Sequence, residues 1–457
     1  MSNHSLETDS SVQVQVALFC DEPQLQSLIP GDIFALPDSS DPATLNQLIQ
    51  AHGAADSEKS GKFPEFHFLV RPYGDRLSGP LSDLFQHRSR EHVLELDCVL
   101  ALPPPRPLPS IPQKDWISSI CTASTPSPLF SGASALTGSY DDSIRLWSGE
   151  GQLVGELTGG HLGPVKCVDW TPGAPSDRKD SQPLIIVSGS LDQTIMIWKA
   201  DAAAATTAAE KISCVQVCRG HEGSVDCVAL SHGLGGPLRL ASGGSDGYLK
   251  LWSLPQQADQ PGEIVDTGPS RAKRPRAASM GPATVTPLVT LAGHREPLSG
   301  LAWTAESGES DLWSVSLDQT LRRWDLSLAG QKDQMTCPSS LTCLDAGQHQ
   351  LLLTGSSDGI IRLWDPRSRE GAMAKTQFRS HSAWISAVQW CPTRSHLFAS
   401  GSYDNQLKLW DSRSPKASLY DLRIHSDRVL ALSWSRDGCR LYSGGVDANL
   451  HIFEVSI

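Results

Sequence analysis

Residues 400–410 read SGSYDNQLKLW: a hydroxyl residue, Gly, two further residues, Asp, and an alternating apolar run that ends in an aromatic ring. Six other segments repeat this line with few changes: TGSYDDSIRLW at 137–147, SGSLDQTIMIW at 188–198, SGGSDGYLKLW at 242–252, SVSLDQTLRRW at 314–324, TGSSDGIIRLW at 354–364 and SGGVDANLHIF at 443–453. The ends of successive copies lie 40 to 72 residues apart, so the longer intervals contain insertions. Self-similarity at such a period indicates a repeat architecture, and it favours a binding platform before any other function.

Each copy predicts two strands joined by a tight turn at the Asp. Leu407 and Leu409 alternate with polar neighbours, which is the period of a strand with one buried face. A second alternating strand, as in residues 165–170 and 385–390, follows an upstream His in most copies. These histidines are His161, His221, His294, His381 and His425.

The chain resembles the WD-repeat family over residues 115–457, which implies a mainly β fold with a seven-bladed propeller. In that family a His, a Ser or Thr, an Asp and a Trp form a hydrogen-bonded tetrad within a blade, and a buried carboxylate requires such donors. The resemblance implies four tetrads: His161, Ser188, Asp192 and Trp198; His221, Ser242, Asp246 and Trp252; His294, Ser314, Asp318 and Trp324; His381, Ser400, Asp404 and Trp410. Gln113 replaces His in the first blade, Cys337 replaces it in the fifth, and Phe453 replaces Trp in the seventh. We expect these three blades to lose part of the network and the ring to survive.

The repeated His, Asp and Ser sets are predicted to be structural. A catalytic triad occurs once in an enzyme, whereas these sets recur around a ring. The sequence also carries no phosphate loop, nucleophile motif or metal cluster. We therefore predict a protein that is not an enzyme, needs no cofactor and holds no metal within its own chain.

The last copy ends close to the C-terminal Ile457, which leaves no room for a fourth strand in its blade. Propellers of the family close by taking this outer strand from the other end of the repeat region. The segment PLPSIPQ at 107–113 is the predicted donor, because its prolines suit only an edge strand.

Bulk properties limit the class of protein. The 457 residues exceed one ordinary core, and the net charge of −12 argues against a broadly basic nucleic-acid binder. The 11 cysteines include no CxxC pair, so buried free thiols such as Cys167, Cys227 and Cys343 are favoured over disulfides or zinc. No apolar run approaches membrane-spanning length and the first residues are polar, so we expect a soluble, intracellular protein without a membrane partner.

A different pattern precedes the repeats. Strands are predicted near residues 12–16, 66–70 and 93–102, a helix at 44–50 and a short helix at 81–85, which is a ubiquitin-like order. The predicted organisation is a flexible start at 1–10, a small α+β ubiquitin-like domain at 11–102, a Pro-rich linker at 103–114 and the propeller at 115–457.

A ubiquitin-like head, a Pro-rich tether and seven WD repeats together resemble one narrow family, the ribosome-biogenesis WD protein of the PeBoW complex. The passages that carry the resemblance are LPPPRPLPSIPQKDWISSI at 102–120, RLWDPRSREGAM at 362–373, HSAWISAVQW at 381–390 and NQLKLWDSRSPKASLYDLRIHSDRVLALSWS at 405–435. The resemblance implies a scaffold in maturation of the large ribosomal subunit and its rRNA. It also implies a nuclear location, in the nucleolus and nucleoplasm, and as partners pescadillo, the block-of-proliferation WD protein and the 66S/60S pre-ribosome.

In that family the head binds midasin, a giant AAA ATPase, and a glutamate completes the metal shell of midasin's adhesion site. The matching residue is Glu91 in HRSREHVLEL. A carboxylate suits this role because it is a hard oxygen ligand for Mg²⁺. Asp83, Glu95 and Asp97 are nearby carboxylates.

The longest interval contains an insertion at 255–287, predicted to be disordered, with a basic run of Arg271, Lys273, Arg274 and Arg276. This run is compatible with nuclear import or RNA contact, and a solvated loop is the alternative; the acidic background and the nuclear family favour import. Partner-binding candidates on the propeller are Tyr140, Trp384 and Tyr403.

Two alternative functions stay open. A notchless-type protein also joins such a head to WD repeats and engages midasin, but it carries eight repeats where this sequence has seven. A WD adaptor in signalling or ubiquitin ligation would bind a ligase scaffold instead.

Overall fold

The computed structural model of the chain describes residues 13–20, 22, 25–56, 63–71, 74–87, 93–127, 133–171, 185–200, 212–231, 238–255, 282–306, 309–326, 328–347, 350–367 and 374–456. The chain divides into two compact units, Met1–Pro104 with Trp410–Ser418, and Pro105–Leu409 with Leu419–Ile457. No helix in the described ranges has the length and apolar character that a membrane crossing requires.

The N-terminal domain is a five-stranded sheet with one α-helix. Its elements are β1 Gln13–Phe19, β2 Phe34–Pro37, α1 Pro42–Asp56, β3 Phe66–Val70, β4 Asp75–Arg76 and β5 Leu94–Leu100, with 3₁₀ turns at Gln26–Leu28 and Leu81–His87. The strand order is β2-β1-β5-β3-β4, with β1 and β5 parallel. Val14, Leu45 and Phe68 are fully buried in its core because strand and helix each turn one apolar face inward. The three located strands and the helix occur in the predicted order, the second predicted helix is a 3₁₀ turn, and β2 and β4 are additional strands.

Seven sheets of at least four strands form the second unit. The short strands β6 Arg106–Pro107 and β7 Ile111–Pro112 precede them. Blade 1 comprises β8 Ile117–Ser127, β9 Ala133–Ser139, β10 Ile144–Ser148 and β11 Leu153–Leu157. Blade 2 comprises β12 Val165–Thr171, β13 Ile185–Ser190, β14 Thr194–Ala200 and β15 Ile212–Arg219. Blade 3 comprises β16 Val225–Leu230, β17 Leu240–Gly244, β18 Leu249–Trp252 and β20 Val289–Leu291, and β19 Ala283–Val285 lies between β18 and β20 in the chain. Blade 4 comprises β21 Leu298–Glu306, β22 Glu309–Ser316, β23 Thr320–Asp325 and β24 Gly330–Thr336.

The remaining blades follow the same plan. Blade 5 comprises β25 Leu341–Ala346, β26 Leu352–Ser356, β27 Ile360–Trp364 and β28 Thr376–Arg379. Blade 6 comprises β29 Ile385–Trp390, β30 Leu397–Ser402, β31 Leu407–Asp411 and β32 Tyr420–Leu422. Blade 7 comprises β33 Val429–Trp434, β34 Arg440–Gly445 and β35 Asn449–Glu454. The first strands of the blades pack against one another in chain order, and β33 packs back on β8. The unit is therefore the seven-bladed WD propeller that the repeat predicts.

The ring closes through the Pro-rich segment. β35 pairs antiparallel with β6, at Phe453 and Pro107, and with β7, at Leu450 and Ile111. The predicted donor strand is confirmed, and the predicted linker boundary at 114 is wrong, because residues 106–112 already belong to blade 7. Between the two prolines the amide of Leu108 still donates to Ile452 O at 2.8 Å, as an edge strand allows.

The end of the insertion departs from the prediction. β19 lies inside the segment predicted to be disordered, yet it pairs parallel with β15 of the preceding blade, Val217 opposite Thr284. The outer strand of blade 2 leaves an unpaired edge, and the β-branched Thr284 and Val285 suit a strand on that edge. The rest of the insertion, from 256 to 281, lies outside the described residues.

Neighbouring blades are joined by hydrogen bonds as well as by apolar packing. Asp345 Oδ2 accepts the amide of Trp390 at 2.7 Å, one blade further on. Asp169 Oδ2 accepts the amide of Leu230 at 2.7 Å in the same way. Most cysteines are buried free thiols, as predicted for Cys167, Cys227 and Cys343.

Candidate functional site

The tight turn of every blade is built by its Asp. The carboxylate accepts the amide two residues further on, at 2.9 Å from Thr194 in blade 2 and at 3.1 Å from Gln406 in blade 6. The residue that follows the Asp takes a positive φ in all seven turns: Asp142, Gln193, Gly247, Gln319, Gly359, Asn405 and Ala448. This local geometry aims the other carboxylate oxygen back toward the upstream His.

The structure brings the sequence-predicted tetrad residues together. His161 Nδ1 lies 3.0 Å from Asp192 Oδ2, His161 Nε2 lies 2.8 Å from Ser188 Oγ, and the indole N–H of Trp198 donates to Ser188 at 3.0 Å. Two further sets repeat these contacts at 2.7 to 2.9 Å: His221, Ser242, Asp246 and Trp252, and His294, Ser314, Asp318 and Trp324. In blade 6, His381 lies 2.9 Å from Asp404 and 2.8 Å from Ser400, and Trp410 is fully buried.

The tetrad geometry defines the tautomer of each His. A carboxylate only accepts, so His161 Nδ1 carries the proton and donates to Asp192. Ser188 Oγ accepts the indole N–H, and its own hydroxyl then donates to His161 Nε2. Burial alone would raise the pKa of Asp192, but hydrogen bonds from His161 and Thr194 hold it well below the usual range.

The blades without a tetrad His use an Arg instead. In blade 5, Arg362 reaches back four residues and pairs with Asp358 at 2.6 Å, while Cys337 occupies the predicted place of the His as a buried thiol. In blade 1, Arg145 pairs with Asp141 and also donates to Gln113 Oε1 at 3.1 Å. The network is thus rebuilt in these blades, which the sequence analysis did not predict.

The tetrads offer no access to a substrate. Ser188, Ser242 and Ser314 are fully buried, and each hydroxyl is already held by an indole and an imidazole. Their chemistry is therefore that of a structural tie between strands.

The candidate binding surface is the mouth of the central channel. A cavity of about 340 Å³ is bordered by Tyr140, Lys166, Asp226, Trp384 and Tyr403. Trp384 is 50% exposed, and its ring stacks on that of Tyr403 at 6.1 Å with 14° between the planes. This surface, which we name the channel mouth, contains all three aromatic residues suggested by the sequence.

Cationic side chains accompany the aromatic rings of the channel mouth. Lys166 Nζ donates to the Tyr140 hydroxyl at 2.8 Å, and Tyr140 also contacts Trp116, a side chain 42% exposed. The Arg428 guanidinium lies 5.4 Å from the centroid of the Tyr403 ring. Exposed rings beside charged groups are typical of surfaces that bind a protein segment.

Two sequence-predicted sites lie outside the described residues. Glu91 is one of them, and the structure resumes at residue 93, just before β5 begins at Leu94. The basic run of Arg271, Lys273, Arg274 and Arg276 is the other. Of the neighbouring carboxylates, Asp97 forms an ion pair with Arg71 and Glu95 is exposed on β5.

Comparison with known proteins agrees with this architecture. The family described as WD domain, G-beta repeat, matches residues 151–199, 212–253, 332–365, 373–411 and 416–454. A ribosome biogenesis protein WDR12 homolog from Ixodes scapularis is 35% identical over 450 residues, covering 97% of this chain and 99% of that protein. The homolog of the same name from Drosophila sechellia is 35% identical, covering 97% of this chain and 95% of that protein. The homolog from Culex quinquefasciatus is 34% identical, covering 99% of this chain and 98% of that protein.

Proposed function

Because this chain belongs to the family of ribosome biogenesis proteins named WDR12, we propose that it is a non-catalytic scaffold in assembly of the large ribosomal subunit. The observation that carries the proposal is similarity over nearly the whole chain, head and propeller together. The proposed role includes processing of the precursor rRNA into the large-subunit and 5.8S rRNAs, in the nucleolus and nucleoplasm. The tetrads support a scaffold, because their Ser hydroxyls are fully buried in the described blades.

We propose the propeller as the part that binds pescadillo and the block-of-proliferation WD protein. The channel mouth supports this assignment, since Trp384 and Tyr403 form a stacked pair in which the Trp384 ring is half-exposed. Aromatic side chains of this kind supply much of the binding energy in protein interfaces. The test is the double variant Trp384→Ala with Tyr403→Ala, compared with Tyr248→Ala, an exposed ring outside the cavity lining. We expect only the double variant to lose the partner propeller in affinity purification, and equal recovery would refute the assignment.

We propose the head as the part that binds midasin through Glu91. Its support is the resemblance and the chemistry of a carboxylate, which ligates Mg²⁺ through oxygen. The matched control is Glu95→Ala, because Glu95 is an exposed carboxylate four residues further on. Binding to midasin in the presence of Mg²⁺ should be lost in Glu91→Ala and Glu91→Gln and retained in Glu95→Ala. Retention in all three would refute the role of Glu91.

Affinity purification of the intact protein tests the function as a whole. Recovery of pescadillo, the block-of-proliferation protein and 60S precursors supports the proposal, whereas recovery of a ubiquitin-ligase scaffold without pre-ribosomes refutes it. Import is tested separately with a fluorescent fusion in which Arg271, Lys273, Arg274 and Arg276 are changed to Ala. Nuclear accumulation of that fusion would refute an import role for the basic run.

A further inference from the structure

Blade 7 holds a group of potential metal ligands at its tetrad. Ligand atoms of His425, Asp447 and His451 all lie within 4.8 Å of one another. His425 Nδ1 is 2.8 Å from Asp447 Oδ2, and His451 Nε2 is 3.5 Å from the same oxygen. The side chains of these three residues are 0%, 2% and 8% exposed. Two imidazoles and one carboxylate form a ligand set that zinc favours.

The separations suit one ion. With Zn–N and Zn–O bonds of about 2.0–2.1 Å, tetrahedral geometry places ligand atoms ~3.3 Å apart. The two measured separations, 2.8 and 3.5 Å, lie on either side of that value. The third separation, between His425 and His451, is within 4.8 Å, so the two imidazoles would have to approach each other by up to about 1.5 Å to complete a three-ligand set.

A second observation comes from His451 itself. Its Nε2 is buried and makes no hydrogen bond of normal geometry, and the group that it faces is Asp447 Oδ2, at the long distance of 3.5 Å. The corresponding position, four residues after the turn Asp, holds a residue of another kind in every other blade: Arg145, Met196, Lys250, Arg322, Arg362 and Lys408. A buried nitrogen without a good hydrogen bond is destabilising, and a bound cation would give it a strong partner.

The replacement of Trp by Phe453 explains why this blade differs. In blade 2 the Trp198 indole occupies Ser188 Oγ, so the Ser hydroxyl donates to the His and leaves the proton on Nδ1. Phe453 has no N–H, so Ser443 Oγ is able to accept from His425 Nε2, which lies 2.8 Å away. Without a metal, His425 Nδ1 donates its proton to Asp447 at 2.8 Å, as in the other tetrads. A cation that displaces this proton would leave it on Nε2, and Ser443 would then fix the ring orientation as an outer-shell partner.

The Asp447 carboxylate is also held less tightly by the backbone than its counterparts. The amides of Ser426 and Asn449 both lie 3.3 Å from it. The matching amide contacts of Asp404, in blade 6, are 3.1 Å long. Oxygens with weaker hydrogen bonds are more available to a metal.

We propose that His425, Asp447 and His451 form a zinc site in blade 7, independent of the proposed function. No metal within this chain was predicted from the sequence. The signal that could have indicated one is that the last repeat has both His451 and Phe453, where the other repeats have neither. The site would tie β34 and β35 together at the blade that closes the ring.

The test uses the full-length protein, stripped with a chelator and titrated with Zn²⁺ alone. His451→Lys is the central variant, because blade 6 carries Lys408 at this position and folds with it. We expect wild type to bind one more zinc ion per chain than His451→Lys, and zinc to raise the thermal midpoint of wild type only. Phe453→Trp keeps all three ligands and should weaken binding about 10-fold or more by restoring the indole donor to Ser443.

Cobalt separates this site from the free cysteines. Co²⁺ bound at the site should give a ligand-field spectrum without a thiolate charge-transfer band, and His451→Lys should lack that spectrum. If His451→Lys does not fold, His451→Gln replaces it. Equal zinc stoichiometry and equal affinity in wild type and the folded His451 variant would overturn the proposal, as would wild type that binds no zinc.

Discussion

Replacement of Asp404, in the tetrad of blade 6, tests directly whether the tetrads stabilise the blades as structural ties between strands. Its side chain is 6% exposed, and Oδ2 accepts from His381 Nδ1 at 2.9 Å and from the Ser382 amide at 3.1 Å. Burial acts to raise the pKa of Asp404, but the hydrogen bond and charge of His381 and the two amide contacts outweigh it and lower the pKa to about 2. The perturbation is Asp404→Asn, which keeps the shape and removes the charge.

The expected loss follows from this pKa. A lowering from 3.8 to about 2 corresponds to ~2.5 kcal/mol of stability near pH 7. Asn also turns one acceptor oxygen into a donor, and both oxygens of Asp404 face N–H groups, so one repulsive contact is added. We expect Asp404→Asn to lower the free energy of unfolding by about 3 kcal/mol, near the range for breaking a buried pair.

The pH dependence has a definite sign. The pKa of Asp404 is lower in the folded state than in the unfolded chain, so its contribution is present above the unfolded pKa of about 4 and declines as the pH falls toward 2. When the pH falls from about 7 to about 3.5, the free energy of unfolding of wild type should decrease by ~0.6 kcal/mol through this group, and that of Asp404→Asn should not. The difference between the two proteins therefore narrows on acidification.

Urea unfolding at the two pH values measures both effects. Asp427→Asn is the matched control, because Asp427 is exposed in the same face of the neighbouring blade, and it should change stability by less than about 0.5 kcal/mol. A loss below about 1 kcal/mol for Asp404→Asn, or a difference that widens at low pH, would refute the tetrad argument.

Three further predictions concern other parts of the network. Ala448→Gly should stabilise the protein by about 0.5–1 kcal/mol in thermal unfolding, because Ala448 has φ +54° in its turn and Gly adopts that conformation without strain. Asp41→Ala should lower the thermal midpoint of the head, since Asp41 caps α1 by accepting the Thr44 amide at 2.8 Å, and Asp41→Asn should restore most of it. Arg362→Gln should destabilise the ring by about 1.5 kcal/mol in urea, because it removes the charged hydrogen bonds of a buried Arg to the partly exposed Asp358 carboxylate, and no measurable loss would contradict the replacement of His by Arg in blade 5.

The local features of the fold could be predicted because they repeat within a few residues. The Asp turn, the alternating strands and the buried Trp all depend on contacts inside one blade, so seven copies of one line predict seven blades. The closing strand was also predicted, because the prolines of residues 107–113 suit an edge strand, and this segment does pair with β35. The tetrad positions follow in the same way from the repeat.

Other features depend on which residues the ring brings together. Arg145 and Arg362 take the place of the missing His because the strand after the turn brings each guanidinium back to the Asp four residues earlier. The spacing is visible in the sequence, but the contact depends on the turn. β19 pairs with the preceding blade, a contact between distant segments for which periodicity offers no signal.

The sequence alone thus determined the repeat, the number of blades and the residues of most tetrads, because these are set by local hydrogen bonds and by apolar alternation. Only the tertiary structure decided how the rings of Tyr140, Trp384 and Tyr403 come to border one cavity, since they lie on blades 1 and 6. It likewise decided that His451 points at the tetrad of a blade that lacks its Trp. The physical reason is that ring closure, rather than chain order, determines which side chains meet across neighbouring strands and blades.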